Sequence, residues 1–261
     1  MSRERAVEIS LDRVRRVSER DRKVVTRTPV APSAHLGERC GGSVVLKAEN
    51  LQRTGAFKIR GVMNKLATLG DRARKGVVAG SAGNHAQALA FGARHFGVPC
   101  EIYVPAGASL AKMAACRGYG ATVHEGGDSL DVAVMHAKAR AEESGMVFCH
   151  PYDDPDVVTG QATLGLELIE DIPDLAQVVV PLGGGGLLSG VALAVKQFNP
   201  DIKVIGVQIS SCAPYVYGKA PQGPVVTLAD GIAVKVPGDV TGPLIDKWVD
   251  EIVDVNEDSV A

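Results

Sequence analysis

The chain has 261 residues, 46% of them hydrophobic and 22% charged, which suits one large or two modest globular domains with a sizeable core. A net charge of −2, from 28 basic and 30 acidic residues, gives no basic surface for nucleic acid, and no run of ~18 apolar residues offers a membrane span. The five cysteines (Cys40, Cys100, Cys116, Cys149, Cys212) are odd in number and widely spaced, with no Cys-x-x-Cys, which argues against a disulfide framework or zinc site and for a reducing, cytoplasmic setting.

Residues 1–12 hold five charges and no apolar run, so they do not read as a signal peptide. Residues 13–23 are basic but interrupted by Glu19 and Asp21, the pattern of a solvated helix face. Short β-rich runs and longer helical patterns then alternate. Strands are expected at 43–48, 76–79, 99–104, 121–124, 146–149, 177–181 and 203–208. Helices are expected between them at 56–69, 84–96, 110–117, 129–143, 156–170 and 186–197. A Gly/Pro-rich excursion at 210–238 precedes a last strand-like run at 251–255. Such alternation predicts an α/β fold of mainly parallel sheets flanked by helices, with right-handed crossovers. Val178-Val179-Val180 reads as a strand buried on both faces. We expect two lobes, a larger one of residues 1–70 and 151–261 and a smaller one of 76–149, with a ligand in the cleft between them.

Three turns stand out. After the apolar strand ending at Pro181 comes Leu182-Gly183-Gly184-Gly185-Gly186-Leu187-Leu188, opening a helix. Glycines allow close backbone approach, and free N–H groups at a helix start favour an anion such as a phosphate monoester. No Gly-Lys-Ser/Thr follows, so this is not a Walker A loop, and no ribose-binding acid stands in Rossmann register. The competing reading is a turn that merely packs closely on a neighbour; four consecutive glycines weigh against it. The second turn is Ser81-Ala82-Gly83-Asn84-His85-Ala86-Gln87. An N-cap explains one polar residue there but not four, and the group could receive a carboxylate without an arginine. The third carries Lys58, flanked by Phe57 and Ile59. A surface lysine is the ordinary alternative, but an apolar flank is what a nucleophilic lysine needs to stay partly neutral.

Together the three turns resemble the fold type II (tryptophan synthase β-like) pyridoxal 5′-phosphate (PLP) enzymes, in particular the threonine dehydratase (threonine ammonia-lyase) and serine racemase branch. The run Glu49-Asn50-Leu51-Gln52-x-Thr54-Gly55-Ala56-Phe57-Lys58-Ile59-Arg60-Gly61 is similar to that family's Schiff-base lysine motif. The resemblance implies that Lys58 holds PLP and later moves protons at the substrate α-carbon. It also implies that Phe57 packs near the cofactor ring and that Asn84 bonds the ring hydroxyl. Gly183, Gly184, Gly185, Gly186 and Leu187 would cradle the phosphate, and Gly231 would lie near the ring. Ser81, Ala82, Gly83, Asn84 and His85 would form the substrate-carboxylate loop. The implied reaction is β-elimination of water from L-threonine, and from L-serine, giving 2-oxobutanoate or pyruvate and ammonia, the β-hydroxyl being protonated through the phosphate. A homo-oligomer, dimer or tetramer, is implied too.

Three departures from the family pattern matter. Position 82 is alanine where serine-racemising relatives carry a second serine, which favours elimination. Relatives that bind a divalent cation do so with carboxylates after the strand matching 204–208; here Ile209-Ser210-Ser211-Cys212-Ala213-Pro214 has none, so no metal is expected. The family's serine-glycine-glycine-asparagine turn, whose serine bonds the pyridine nitrogen, has no counterpart before Ala261. Neither does a C-terminal allosteric domain, so branched-chain feedback control is not expected. The sequence therefore reads as a fragment or a shortened paralogue. Serine racemase or serine dehydratase is the alternative within the class, and a non-catalytic PLP-binding protein the alternative outside it.

Overall fold

A computed structural model describes residues 9–261; residues 1–8, which include most of the charged N-terminal stretch and the start of the 1–70 segment, lie outside the described residues. Helix α1 (Leu11–Asp21) is capped by Ser10, whose hydroxyl accepts from the Arg13 N–H, and buries Val14 and Val17 while Arg15 and Arg16 face outward. Strand β1 (Val30–Pro32), helix α2 (Ala34–Cys40) and strand β2 (Val45–Lys47) follow, β1 and β2 pairing antiparallel. Helix α3 (Lys58–Leu69) leads into a four-stranded parallel sheet of β3 (Val77–Gly80), β4 (Cys100–Val104), β5 (Thr122–Glu125) and β6 (Val147–Phe148), ordered β5-β4-β3-β6. Its connecting helices are α4 (Asn84–Phe96), α5 (Leu110–Gly118) and α6 (Leu130–Ser144).

Helix α7 (Pro155–Asp171) enters a second parallel sheet, β7 (Gln177–Pro181), β8 (Lys203–Ile209) and β9 (Glu251–Val255), in that order. Helix α8 (Gly186–Phe198), the short α9 (Pro214–Tyr217) and α10 (Thr241–Trp248) connect its strands. The α/β class and the parallel order are as the alternation predicts. Strand β7 differs from expectation. Val178 and Val180 are buried, but Val179 is 57% exposed, because β7 lies at the edge of its sheet and only one face is covered among the described residues.

Two cores flank α3 and α7. Ile59, Val62, Met63 and Leu66 of α3 pack with Leu89 of α4 and with Val77 and Ile102 of the first sheet. Leu164 and Leu168 of α7 pack with Leu188 and Val191 of α8 and with Val178 and Val204 of the second. Small residues bring the helices together. A Cβ at Gly160 would lie 2.3 Å from the Arg60 carbonyl oxygen, and one at Gly190 would lie 2.7 Å from that of Val158. Arg60 is 1% exposed, yet every face of its guanidinium is used. It donates to both Glu49 oxygens at 2.8 Å and to the Glu167 oxygens at 2.7 and 3.0 Å, while Lys47 joins Glu167 at 2.7 Å. A buried charge satisfied on all sides fixes geometry, since removing one partner strands the others. Glu49 and Arg60, both in the lysine motif, thus clamp the first turn of α3, where Lys58 begins.

Candidate active site

Ahead of Lys58 the chain turns sharply. Thr54 and Gly55 both take positive φ (64° and 74°), a conformation costly for β-branched threonine, and α3 then starts at Lys58 itself. Its side chain is half-buried, and Nζ donates to the Pro151 carbonyl oxygen at 2.8 Å. Nζ also lies 5.2 Å from the centroid of the Phe57 ring. Loss of solvation lowers the ammonium pKa to about 8, so a useful fraction is neutral near physiological pH.

At the start of α4, Gly83 is the N-cap, and no side chain caps the helix. The Ser81 hydroxyl accepts from the Gly83 N–H instead. The first N–H groups of the helix, beginning with those of Asn84 and His85, therefore have no intrahelical partner and lie open to an anion. The His85 side chain is already committed. It is buried, and Nε2 donates to the Cys149 carbonyl oxygen at 3.0 Å. Burial, and then the nearby Lys58 charge, push its pKa down to about 3, so the ring stays neutral. Of the groups at His85, the main-chain N–H is the one left for a carboxylate. Asn84 is exposed, and Ser81, Ala82 and Gly83 are half-buried around it.

Residues 183–187 form the turn into α8, with Gly185 as N-cap at φ 91° and no side-chain cap. Close packing and open donors occur together here, although the sequence sets them against each other. A Cβ at Gly184 would lie 2.4 Å from the Tyr152 ring, at Gly186 3.0 Å from the Tyr152 backbone, and at Gly183 3.0 Å from the Ile232 Cα. The same glycines leave the N–H groups of Gly186 and Leu187, at the helix start, without intrahelical partners. Gly231, in a short 3₁₀ turn, adjoins Ile232, and nothing stands within 4 Å of where its Cβ would be.

One stretch, residues 149–154, ties these pieces together, and no sequence motif marks it. The Cys149 carbonyl holds His85, the Pro151 carbonyl holds Lys58, and the Tyr152 ring backs the glycine turn. The Asp153 carboxylate accepts from the N–H groups of Asp239, Val240 and Thr241 at 2.8 to 3.1 Å. Asp154 caps α7 and pairs with Lys65 at 2.6 Å. Most of this work is done by main-chain carbonyls, which any residue supplies. The signal present in the sequence was the Asp153-Asp154-Pro155 cap before α7.

A lysine amine freed by burial, a second helix start with open donors and a glycine turn with more suit a phosphorylated aldehyde cofactor and an amino-acid carboxylate. The model of the pyridoxal-phosphate dependent enzyme family matches residues 22–261. The chain belongs to that family. An L-threonine ammonia-lyase of Thermotoga maritima is 48% identical over 260 residues, covering 97% of this chain and 65% of that protein. A catabolic L-threonine dehydratase of Escherichia coli is 42% identical over 97% of this chain and 78% of its own length. The solved structure of maize serine racemase superposes with a TM-score of 0.91 at 34% identity, covering 98% of this chain and 79% of that one. The chain thus spans about two thirds of the length of the ammonia-lyase it matches.

Proposed function

We propose that the protein deaminates L-threonine, and L-serine alongside it, by β-elimination of water, releasing 2-oxobutanoate or pyruvate and ammonia. The observation that carries this reading is the pair of carbonyls at Cys149 and Pro151, two residues apart, which hold His85 and Lys58 from two separate motifs beside a third. The relatives named for threonine deamination support the substrate class.

Pyridoxal phosphate, when bound, supplies the electron sink for charge leaving the substrate α-carbon. The residues present fit it. Lys58 offers an amine whose pKa is near 8, and residues 183–187 offer main-chain donors for a phosphate. Phe57, Asn84 and Gly231 would border the ring. The main-chain N–H groups at the start of α4, with Ser81, seat the substrate carboxylate. Lys58 Nζ then takes the proton from the α-carbon. The Cα–H and Cβ–O bonds break, the β-hydroxyl takes up one proton as it departs as water, balancing the proton taken by Lys58, and hydrolysis of the released enamine gives the 2-oxo acid and ammonia. Half-buried Ala82 offers no hydroxyl to deliver a proton back to the α-carbon, so elimination is favoured over racemisation.

We place the carboxylate loop in a small lobe, residues 76–149, and the lysine and glycine turn in a larger one formed by 1–70 and 151–261, working as a cytoplasmic homo-oligomer on a free amino acid. Among the described residues no helix is long and apolar enough to cross a membrane. Serine racemisation is the second reading, favoured by the likeness to maize serine racemase. Supplying the protein with PLP and either L-amino acid, and measuring 2-oxobutanoate, pyruvate and D-serine, separates the two. Both 2-oxo acids should form, since one methyl separates the substrates by only ~1–3 kcal/mol. D-serine as the dominant product overturns the elimination reading.

A further inference from the structure

Two carbonyls of the glycine turn are anchored behind it. The Thr241 hydroxyl, fully buried, donates to the Gly184 carbonyl oxygen at 2.8 Å. The Gly185 carbonyl oxygen accepts from the Ser189 N–H at 2.8 Å and from the Ser189 hydroxyl. A planar trans peptide points its C=O and N–H in opposite directions. Holding the Gly184 carbonyl towards Thr241 therefore turns the Gly185 N–H the other way, and holding the Gly185 carbonyl towards Ser189 does the same for Gly186.

The Gly186 N–H would be set by the helix alone, because the Ser189 N–H bond is the first turn of α8. The Gly185 N–H would not. Gly185 is the N-cap, at φ 91°, outside the helical ladder, and glycine there has more freedom than any other residue. Its peptide with Gly184 is oriented by Thr241, which is in turn gripped at its own N–H by Asp153 Oδ1 at 3.1 Å. Asp153 lies two residues from Pro151, the partner of Lys58.

We propose that Thr241, held by Asp153, is a positioning residue that aims the Gly185 N–H at the cofactor phosphate and sets the glycine turn in register with Lys58. The proposal rests on reading residues 183–187 as the phosphate cup. Thr241, fully buried and bonded to the Gly184 carbonyl, acts by removing the freedom of one peptide group, so the donor is oriented before the anion arrives.

The test separates the phosphate from the rest of the ligand. Apo protein is titrated with PLP and with pyridoxal, which has the same aldehyde and ring but no phosphate, following the absorbance of the lysine-bound form. In the wild type PLP binds far more tightly than pyridoxal. Thr241→Val, which keeps the shape and removes the hydroxyl, weakens PLP about tenfold, the scale of one lost charge-assisted hydrogen bond, and leaves pyridoxal unchanged. Thr241→Ser restores PLP binding. If Thr241→Val does not fold, Asp153→Asn is titrated in the same way and must show the same selective loss. An equal loss for both ligands, or none for either, overturns the positioning role. A wild type that binds pyridoxal as tightly as PLP instead overturns the phosphate-cup reading itself.

Discussion

Burial acts on Lys58 and His85 in the same physical sense and to different ends. Desolvation lowers both pKa values, to about 8 for the lysine and about 3 for the histidine. For Lys58 this makes the ammonium easier to deprotonate; for His85 it fixes a neutral ring whose Nε2–H is spent on the Cys149 carbonyl. The histidine has a consequence for stability. Its folded pKa lies below the ordinary value of 6.5, so its contribution is present above pH 6.5 and is lost as pH falls towards 3, on the order of a few kcal/mol in all. Urea unfolding from pH 7 to pH 4 should therefore show a declining midpoint, with His85→Gln less stable at pH 7 but flatter across the range. Parallel curves for the two proteins would remove His85 as the source of the acid sensitivity. At this scale the sequence exposed residues that carry side-chain chemistry in a dense motif, such as Lys58 and the run 81–87. It hid Pro151 and Thr241, whose parts are a carbonyl and one hydroxyl facing a residue 57 positions away.

Elements were legible where a local stop signal met a clear period. Helix α4 and strands β7 and β9 have the limits the sequence predicts, α4 ending at Gly97 in the left-handed conformation. Helix α2 was missed because it is seven residues long and buries none of them, so no hydrophobic stripe marks it, although Ser33 and Gly41 cap its two ends. Helix α10 was missed because it opens on Thr241-Gly242-Pro243 and takes its cap from Asp153, far away in sequence. Strand β1 holds a proline and pairs only at an edge. The crossing of α3 and α7 gives a test at this scale. Gly160→Ala gains about 1 kcal/mol of helix propensity but places a Cβ 2.3 Å from the Arg60 carbonyl, where backbone must move. Overpacking of this kind costs about 1–3 kcal/mol, so the net effect should be a lower thermal midpoint together with weaker PLP binding, because the displaced turn carries Lys58. A Gly160→Ala protein as stable as the wild type would show that the crossing is looser than described.

Across the whole molecule, the site joins parts that are far apart in the chain: Lys58 at the head of α3, the open end of α4 beside the first sheet, and the glycine turn of the second. Residues 149–154, leaving β6 and entering α7, bring the three together. Order and spacing of the motifs made the family legible from the sequence, whereas their convergence depends on a stretch with no motif of its own. The exposed face of β7 was likewise illegible, since Val178-Val179-Val180 looks the same whether one face is covered or two. On the proposed function, this convergence makes Lys58 the residue that would hold pyridoxal phosphate. The most direct measurement is the visible absorbance of wild type and Lys58→Ala after PLP is added and free cofactor is dialysed away. The wild type should keep a lysine-bound band that borohydride fixes onto Lys58, and Lys58→Ala should keep none. A wild type without the band, or a Lys58→Ala protein that retains it at full strength, would show that Lys58 does not hold the cofactor.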